Sequence, residues 1–163
     1  MKQLWAPWRL SYILSEKTTS CIFCHHPAGG QHKKSLLLHA GPSSLVMLNR
    51  YPYSSSHLLI APRKHTGNLS KLTADEMSDL FATLQRSVEA LTAAVKPAGF
   101  NIGMNLGRVA GAGITRHLHL HVVPRWPGDT NFMPIVAESM VLPEHLDQTY
   151  ERLAPIFQSR FAS

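Results

Sequence analysis

The chain has 163 residues, 44% hydrophobic and 16% charged, with a net charge of +6 and a pI of about 9.6. This length suits one domain with a real core, and the composition excludes disordered and fibrous classes. No stretch is apolar and long enough for a transmembrane span, and Met1 to Trp8 is too short and too aromatic for a signal peptide, so a cytoplasmic protein is expected.

The excess of Lys and Arg favours anionic partners such as phosphates and nucleotides. Arg9, Lys17, Lys33, Lys34, Arg63 and Lys64 are scattered rather than gathered in a stripe, which argues against a nucleic-acid surface.

The chain is irregular to about Lys34 and contains its two cysteines as Cys21-Ile22-Phe23-Cys24. In a reducing compartment such a pair points to metal or redox chemistry rather than a structural disulfide, and a zinc site would need two more ligands. Ser35 to His39 and Ser44 to Asn49 read as strands of a hairpin around Gly41-Pro42. Tyr51 to Ser56 is a loop, and His57 to Ala61 a third strand stopped by Pro62. Thr73 and Glu76 form a capping box. Met77, Leu80, Phe81, Leu84, Val88, Leu91 and Val95 then follow helical spacing up to Lys96-Pro97. Phe100 to Leu106 is a fourth strand, and Gly107 to Gly113 a glycine-rich loop with amides free to approach phosphate. A turn at Pro127-Gly128-Asp129 precedes an amphipathic helix from about Pro143 to Phe157. His25, His26, His32, His39 and His145 belong to no motif and read as surface residues. Short connections interrupted by one long helix predict an α+β fold with an antiparallel sheet.

The most specific segment is the fifth strand, Arg116-His117-Leu118-His119-Leu120-His121-Val122-Val123-Pro124. A side-chain period of two puts His117, His119 and His121 on one face and Leu118, Leu120 and Val122 on the other. Residues two apart on a strand stand about 6.7 Å apart, so one metal ion cannot hold all three imidazoles. Either two share a metal, or one is a nucleophile with helpers beside it.

This run resembles the motif of the histidine triad (HIT) family of nucleotide hydrolases and transferases. The Cys-Ile-Phe-Cys knuckle, the Ser-His-Leu-Leu-Ile-Ala-Pro strand, the capped helix and the glycine loop stand in the family's order. Leu4 to Arg9, Val123 to Trp126 and Gly128 to Phe132 are similar to the diadenosine tetraphosphate phosphorylase-like branch. The resemblance implies a five-stranded antiparallel sheet with one long helix and a C-terminal helix. It implies one domain over 1–163, with an N-terminal arm to 34, a core over 35–125 and a helical extension over 126–163.

The resemblance also implies site roles. His119 would be the nucleophile that takes up a nucleotidyl group, with His121 and His57 stabilising charge on the phosphate. Asn49 would bind ribose, Met47 and Leu59 would wall the base, and Asn105 with Gly111, Gly113 and Thr115 would meet phosphate. Many relatives carry Gln where this chain has Gly113, so a contact to the scissile phosphate or leaving group is missing. Thr115 or the Gly111 to Gly113 amides are the candidates to replace it. Cys21, Cys24, His65 and His117 match a structural zinc site of some bacterial members. The implied partner is a purine nucleotide or dinucleoside polyphosphate, and the implied assembly a homodimer with the long helix at its interface. The alternatives are an adenosine phosphoramidase or general nucleotide-conjugate hydrolase, and a nucleotide-binding module without turnover.

Overall fold

A computed structural model of the chain describes residues 20–25, 32–129 and 144–162. The segments at Leu4 to Arg9 and Thr130 to Phe132, and His26, lie outside them. The elements are α1 (His32–Ser35), β1 (Leu37–Ala40), β2 (Ser44–Leu48), β3 (Leu58–Pro62), a 3-10 turn (Leu69–Lys71), α2 (Ala74–Val95), β4 (Gly99–Met104), β5 (Leu120–Arg125) and α3 (Leu146–Phe161). The five strands form one antiparallel sheet in the order β1-β2-β3-β5-β4, as expected.

Register explains the two faces. Across the sheet Leu37 pairs with Met47, Met47 with Leu59, Leu59 with His121 and His121 with Gly103. Directly paired residues share a face, so these form one row. Their neighbours Leu48, Leu58 and Val122, with Val46, Ile60 and Leu120, face the other way into the main core. There they meet Leu80, Ala90 and Leu91 of α2 and Tyr150, Leu153 and Phe157 of α3. Each fully buried Leu or Phe adds about 1.5–3 kcal/mol of hydrophobic stabilisation, which is why both helices lie on this face. The opposite face carries a smaller cluster of Phe23, Leu37, Leu45, Met47, Leu59 and Ala61.

The capping box forms as expected: the Glu76 amide donates to Thr73 Oγ1 and the Thr73 amide to a Glu76 carboxylate oxygen. Helix α2 ends at Lys96, left-handed with φ 46, just before Pro97. Of its predicted apolar stripe, Phe81 is 55% exposed, because it lies about 100° around the helix from buried Leu80.

Three expected element bounds need correction. The first strand starts at Leu37, after α1 and a left-handed Leu36 (φ 60), rather than at Ser35. Helix α3 runs past Phe157 to Phe161 because the Phe161 ring docks on Phe157 and stacks on His39, with the Arg86 guanidinium over it. His39 is therefore not a plain surface residue, and burial, then the Arg86 charge, holds its pKa below the ordinary value despite the nearby Asp79. Third, β5 begins only at Leu120, so His117 and His119 stand ahead of the strand rather than in it. Continued past Ile60 and Leu120, the register would set Ala61 against His119 and Pro62 against Leu118, and Pro62 has no amide hydrogen to give. The Leu118 amide bonds to the Thr66 carbonyl instead, at 2.7 Å. Among the described residues, no helix is long and apolar enough to cross a membrane.

Candidate active site and metal cluster

The break before β5 divides the three histidines between two sites. His117 is 1% exposed, and its Nε2–H donates to the Pro62 carbonyl at 2.7 Å. Its Nδ1 lone pair then faces Cys21 Sγ at 3.3 Å, Cys24 Sγ at 3.5 Å and His65 Nδ1 at 3.3 Å, while Cys24 Sγ lies 3.1 Å from His65 Nδ1. A tetrahedral ion with bonds of about 2.0–2.3 Å spaces its ligands by roughly 3.3–3.8 Å. The four side chains therefore fit one metal ion, and two thiolates with two imidazoles are a donor set suited to Zn²⁺.

His119 and His121 remain for other chemistry. His119 is buried, and its Nδ1 stands 2.9 Å from the His117 carbonyl. A carbonyl only accepts, so Nδ1 carries the proton and Nε2 keeps its lone pair. Burial lowers the His119 pKa although the carbonyl bond opposes this, so the ring stays neutral near pH 7.

Strand β3 brings in His57, one residue before it. The Tyr53 amide donates to His57 Nδ1 at 3.0 Å, and Asn49 Nδ2 lies 3.3 Å from the same atom. His57 Nε2 thus bears the proton and donates to His121 Nδ1 at 3.0 Å. By the same logic the neutral His121 ring carries its proton on Nε2. The His119 and His121 rings are 5.0 Å apart between centroids. The pair thus presents one lone pair and one N–H side by side.

His57 itself is fully buried; burial first, then the nearby His121 and His119, push its pKa from 6.5 to about 3. The sign follows from proton linkage. The unfolded chain takes up a proton near pH 6.5 that the native state refuses until about pH 3. His57 therefore contributes its full stability above pH 6.5, and that contribution is lost as pH falls toward 3, by about 1 kcal/mol per pH unit. Urea unfolding at pH 7 and pH 5 checks this, and equal midpoints would refute it.

Asn49 thus adjoins His57, and Met47 and Leu59 continue the row of His121, both nearly covered by the Phe23 cluster. Gly111 has a φ of +89, and a Cβ there would stand 3.7 Å from Asn105 Nδ2, which places Asn105 beside the glycine loop. The Gly111 amide already donates to the Arg108 carbonyl, closing a turn within that loop. Gly113 and Thr115 are exposed. Two neighbours escaped the sequence reading. Phe23 packs between His117 and His119, with centroids at 4.9 and 5.2 Å. Tyr53 covers His57 and His121 at 4.9 and 5.7 Å and is itself 41% exposed. Their aromatic character was visible; their partners His117, His119 and His121, tens of residues away, were not.

The HIT domain model matches residues 31–128, the span that carries the sheet, α2 and all three histidines of the run. The chain belongs to the HIT family. It is 34% identical over 163 residues to a protein of Mycobacterium tuberculosis named AP-4-A phosphorylase, covering 94% of this chain and 83% of that one. A Zn-bound histidine triad family protein from Mycobacterium smegmatis superposes with a TM-score of 0.62 at 25% identity, covering 76% and 84% of the two chains. A histidine triad nucleotide-binding protein from Sulfolobus tokodaii gives 0.61 at 28% identity, with coverages of 77% and 82%. This chain thus carries a cluster able to hold a metal beside an ordered set of imidazoles.

Proposed function

We propose that this chain is a nucleotidyl hydrolase or transferase that cleaves dinucleoside polyphosphates, such as diadenosine tetraphosphate, at the α-phosphate. One observation carries the reading: directed hydrogen bonds leave His119 Nε2 as a lone pair beside an N–H on His121. His119 Nε2 attacks the α-phosphorus. The bond from phosphorus to the bridging oxygen breaks, and its electron pair leaves with ATP. The imidazolium so formed is stabilised by its Nδ1–H on the His117 carbonyl, and the His121 N–H stabilises charge on the phosphoryl oxygens. Phosphate or water then attacks the adenylyl group on His119, loses a proton, and releases ADP or AMP. The name of the Mycobacterium tuberculosis relative supports this substrate class.

Substrate contacts are assigned to Asn49, Met47, Leu59, Asn105, Gly111, Gly113 and Thr115, a reading supported by their placement around His57, His121 and the glycine loop. We assign zinc to Cys21, Cys24, His65 and His117, where it neutralises two thiolates and ties the knuckle to the sheet. The purified protein should carry one zinc per chain by elemental analysis, and Cys24→Ser should lose most of it; a metal-free native protein would reject the assignment. A homodimer is supported by exposed Phe81 on α2 and exposed Ile102 on the edge strand β4.

The deciding experiment is incubation with diadenosine tetraphosphate, with and without inorganic phosphate, followed by nucleotide chromatography. ADP plus ATP only with phosphate indicates a phosphorylase; AMP plus ATP without it indicates a hydrolase. Cleavage of AMP–amine conjugates alone would move the assignment to a phosphoramidase, and binding without any turnover would reduce it to a nucleotide-binding module.

A further inference from the structure

The knuckle turn, closed by the Cys24 and His25 amides on the Cys21 carbonyl at 3.0 Å, gives its two sulfurs to the metal cluster. It gives its Phe23 ring to the sheet, where that ring is 2% exposed among Leu37, Leu45, Met47, Leu59 and Ala61. Phe23 touches one ring of the cluster, His117, and one ring outside it, His119. His117 makes a second link, since its Nδ1 faces the cluster while its backbone carbonyl holds His119 Nδ1–H. Two groups that orient His119, an apolar ring and a hydrogen-bond acceptor, therefore belong to the segments that carry three of the four metal ligands.

We propose that Phe23 is a positioning residue for His119, and that metal occupancy of the Cys21, Cys24, His65 and His117 cluster sets how firmly it acts. This rests on the reading of His119 as the nucleophile. Four ligand atoms within 4.8 Å of one another are drawn to a shared cation, which fixes the knuckle turn and the His117 plane together. With the turn fixed, Phe23 blocks rotation of the His119 ring on one side. With His117 fixed, its carbonyl stays aimed at Nδ1. The cation takes no part in the reaction; it narrows the range of orientations from which Nε2 can attack.

Long-range ¹H–¹⁵N NMR of the imidazoles tests this without substrate. The zinc-loaded wild type should show His119 as one tautomer, protonated on Nδ1, with His121, whose Nδ1 is held by His57 Nε2, as an internal reference. Zinc-loaded Phe23→Leu, which keeps apolar volume but loses the ring, should show an averaged His119 tautomer. Its kcat should fall about tenfold with KM within about twofold. Wild type treated with a chelator should show the same averaging while its far-UV circular dichroism is unchanged. An unaltered His119 signal in the folded variant or in the chelated wild type overturns the proposal. Global unfolding on chelation also overturns it, since the cluster would then serve the fold as a whole. If Phe23→Leu does not fold, the chelation arm decides. Absence of nucleotide turnover in the wild type would reject the functional reading alone and leave the spectral result standing.

Discussion

Replacing His119 by alanine should lower kcat for diadenosine tetraphosphate by at least about four orders of magnitude, the scale seen when a covalent nucleophile is deleted. Nucleotide affinity should change by only a few-fold, because the expected base and ribose contacts lie elsewhere, at Met47, Leu59 and Asn49. The argument is geometric. His119 Nδ1 is held by the His117 carbonyl, so Nε2 is an available lone pair, while His57 and His121 each use Nδ1 as an acceptor. Neither can substitute without breaking the Tyr53 to His57 to His121 chain. Quenched-flow turnover with radiolabelled substrate, together with isothermal titration of a non-hydrolysable analogue, separates the two effects. Trapping of labelled protein in the wild type and its absence in His119→Ala would identify the intermediate. Residual turnover above about 1% of wild type would mean that another group attacks phosphorus.

Gly67→Ala should destabilise the fold by about 3 kcal/mol, the upper end of the usual overpacking cost. A Cβ on Gly67 would stand 2.2 Å from the Thr115 carbonyl oxygen and 3.3 Å from the Arg116 Cα, both backbone atoms that cannot swing aside. The same contact carries the Thr66 carbonyl to the Leu118 amide, and thereby fixes the segment of His117 and His119. In a domain of this size, that cost should lower Tm by roughly 6–12 °C. The variant should also loosen metal binding, since His65 and His117 lie on the two sides of the contact. Gly99→Ala is the control, because no atom lies within 4 Å of its Cβ position. Differential scanning calorimetry decides; a gain in stability, as expected where Ala only stiffens the unfolded chain, would show that the contact yields.

The sheet, the long helix and its cap were legible because each rests on local physics. Alternation and helical spacing are counted over a few residues, and Thr73 and Glu76 are three apart. Leu120 and Val122 are buried opposite His121 as the period of two requires. The extension of α3 to Phe161 was not legible, because it depends on the rings of His39 and Phe157 and the charge of Arg86. Phe23 and Tyr53 were passed over because a lone aromatic residue in a loop has no period to reveal its partner.

The sequence by itself determined which chemistry was possible: a short run of imidazoles, a pair of thiols and a strand-end histidine, in an order that marks the family. Only the tertiary structure decided how they divide the work. Pro62 cannot extend the ladder, and Thr66 captures the Leu118 amide, so His117 turns toward the cysteines while His121 enters the sheet. The pairing of Leu58 with Val122 brings His57 against His121, across 64 positions of sequence. Backbone carbonyls and amides then assign each ring its proton. A histidine's spacing is written in the chain, but its tautomer and its pKa come from what is packed around it.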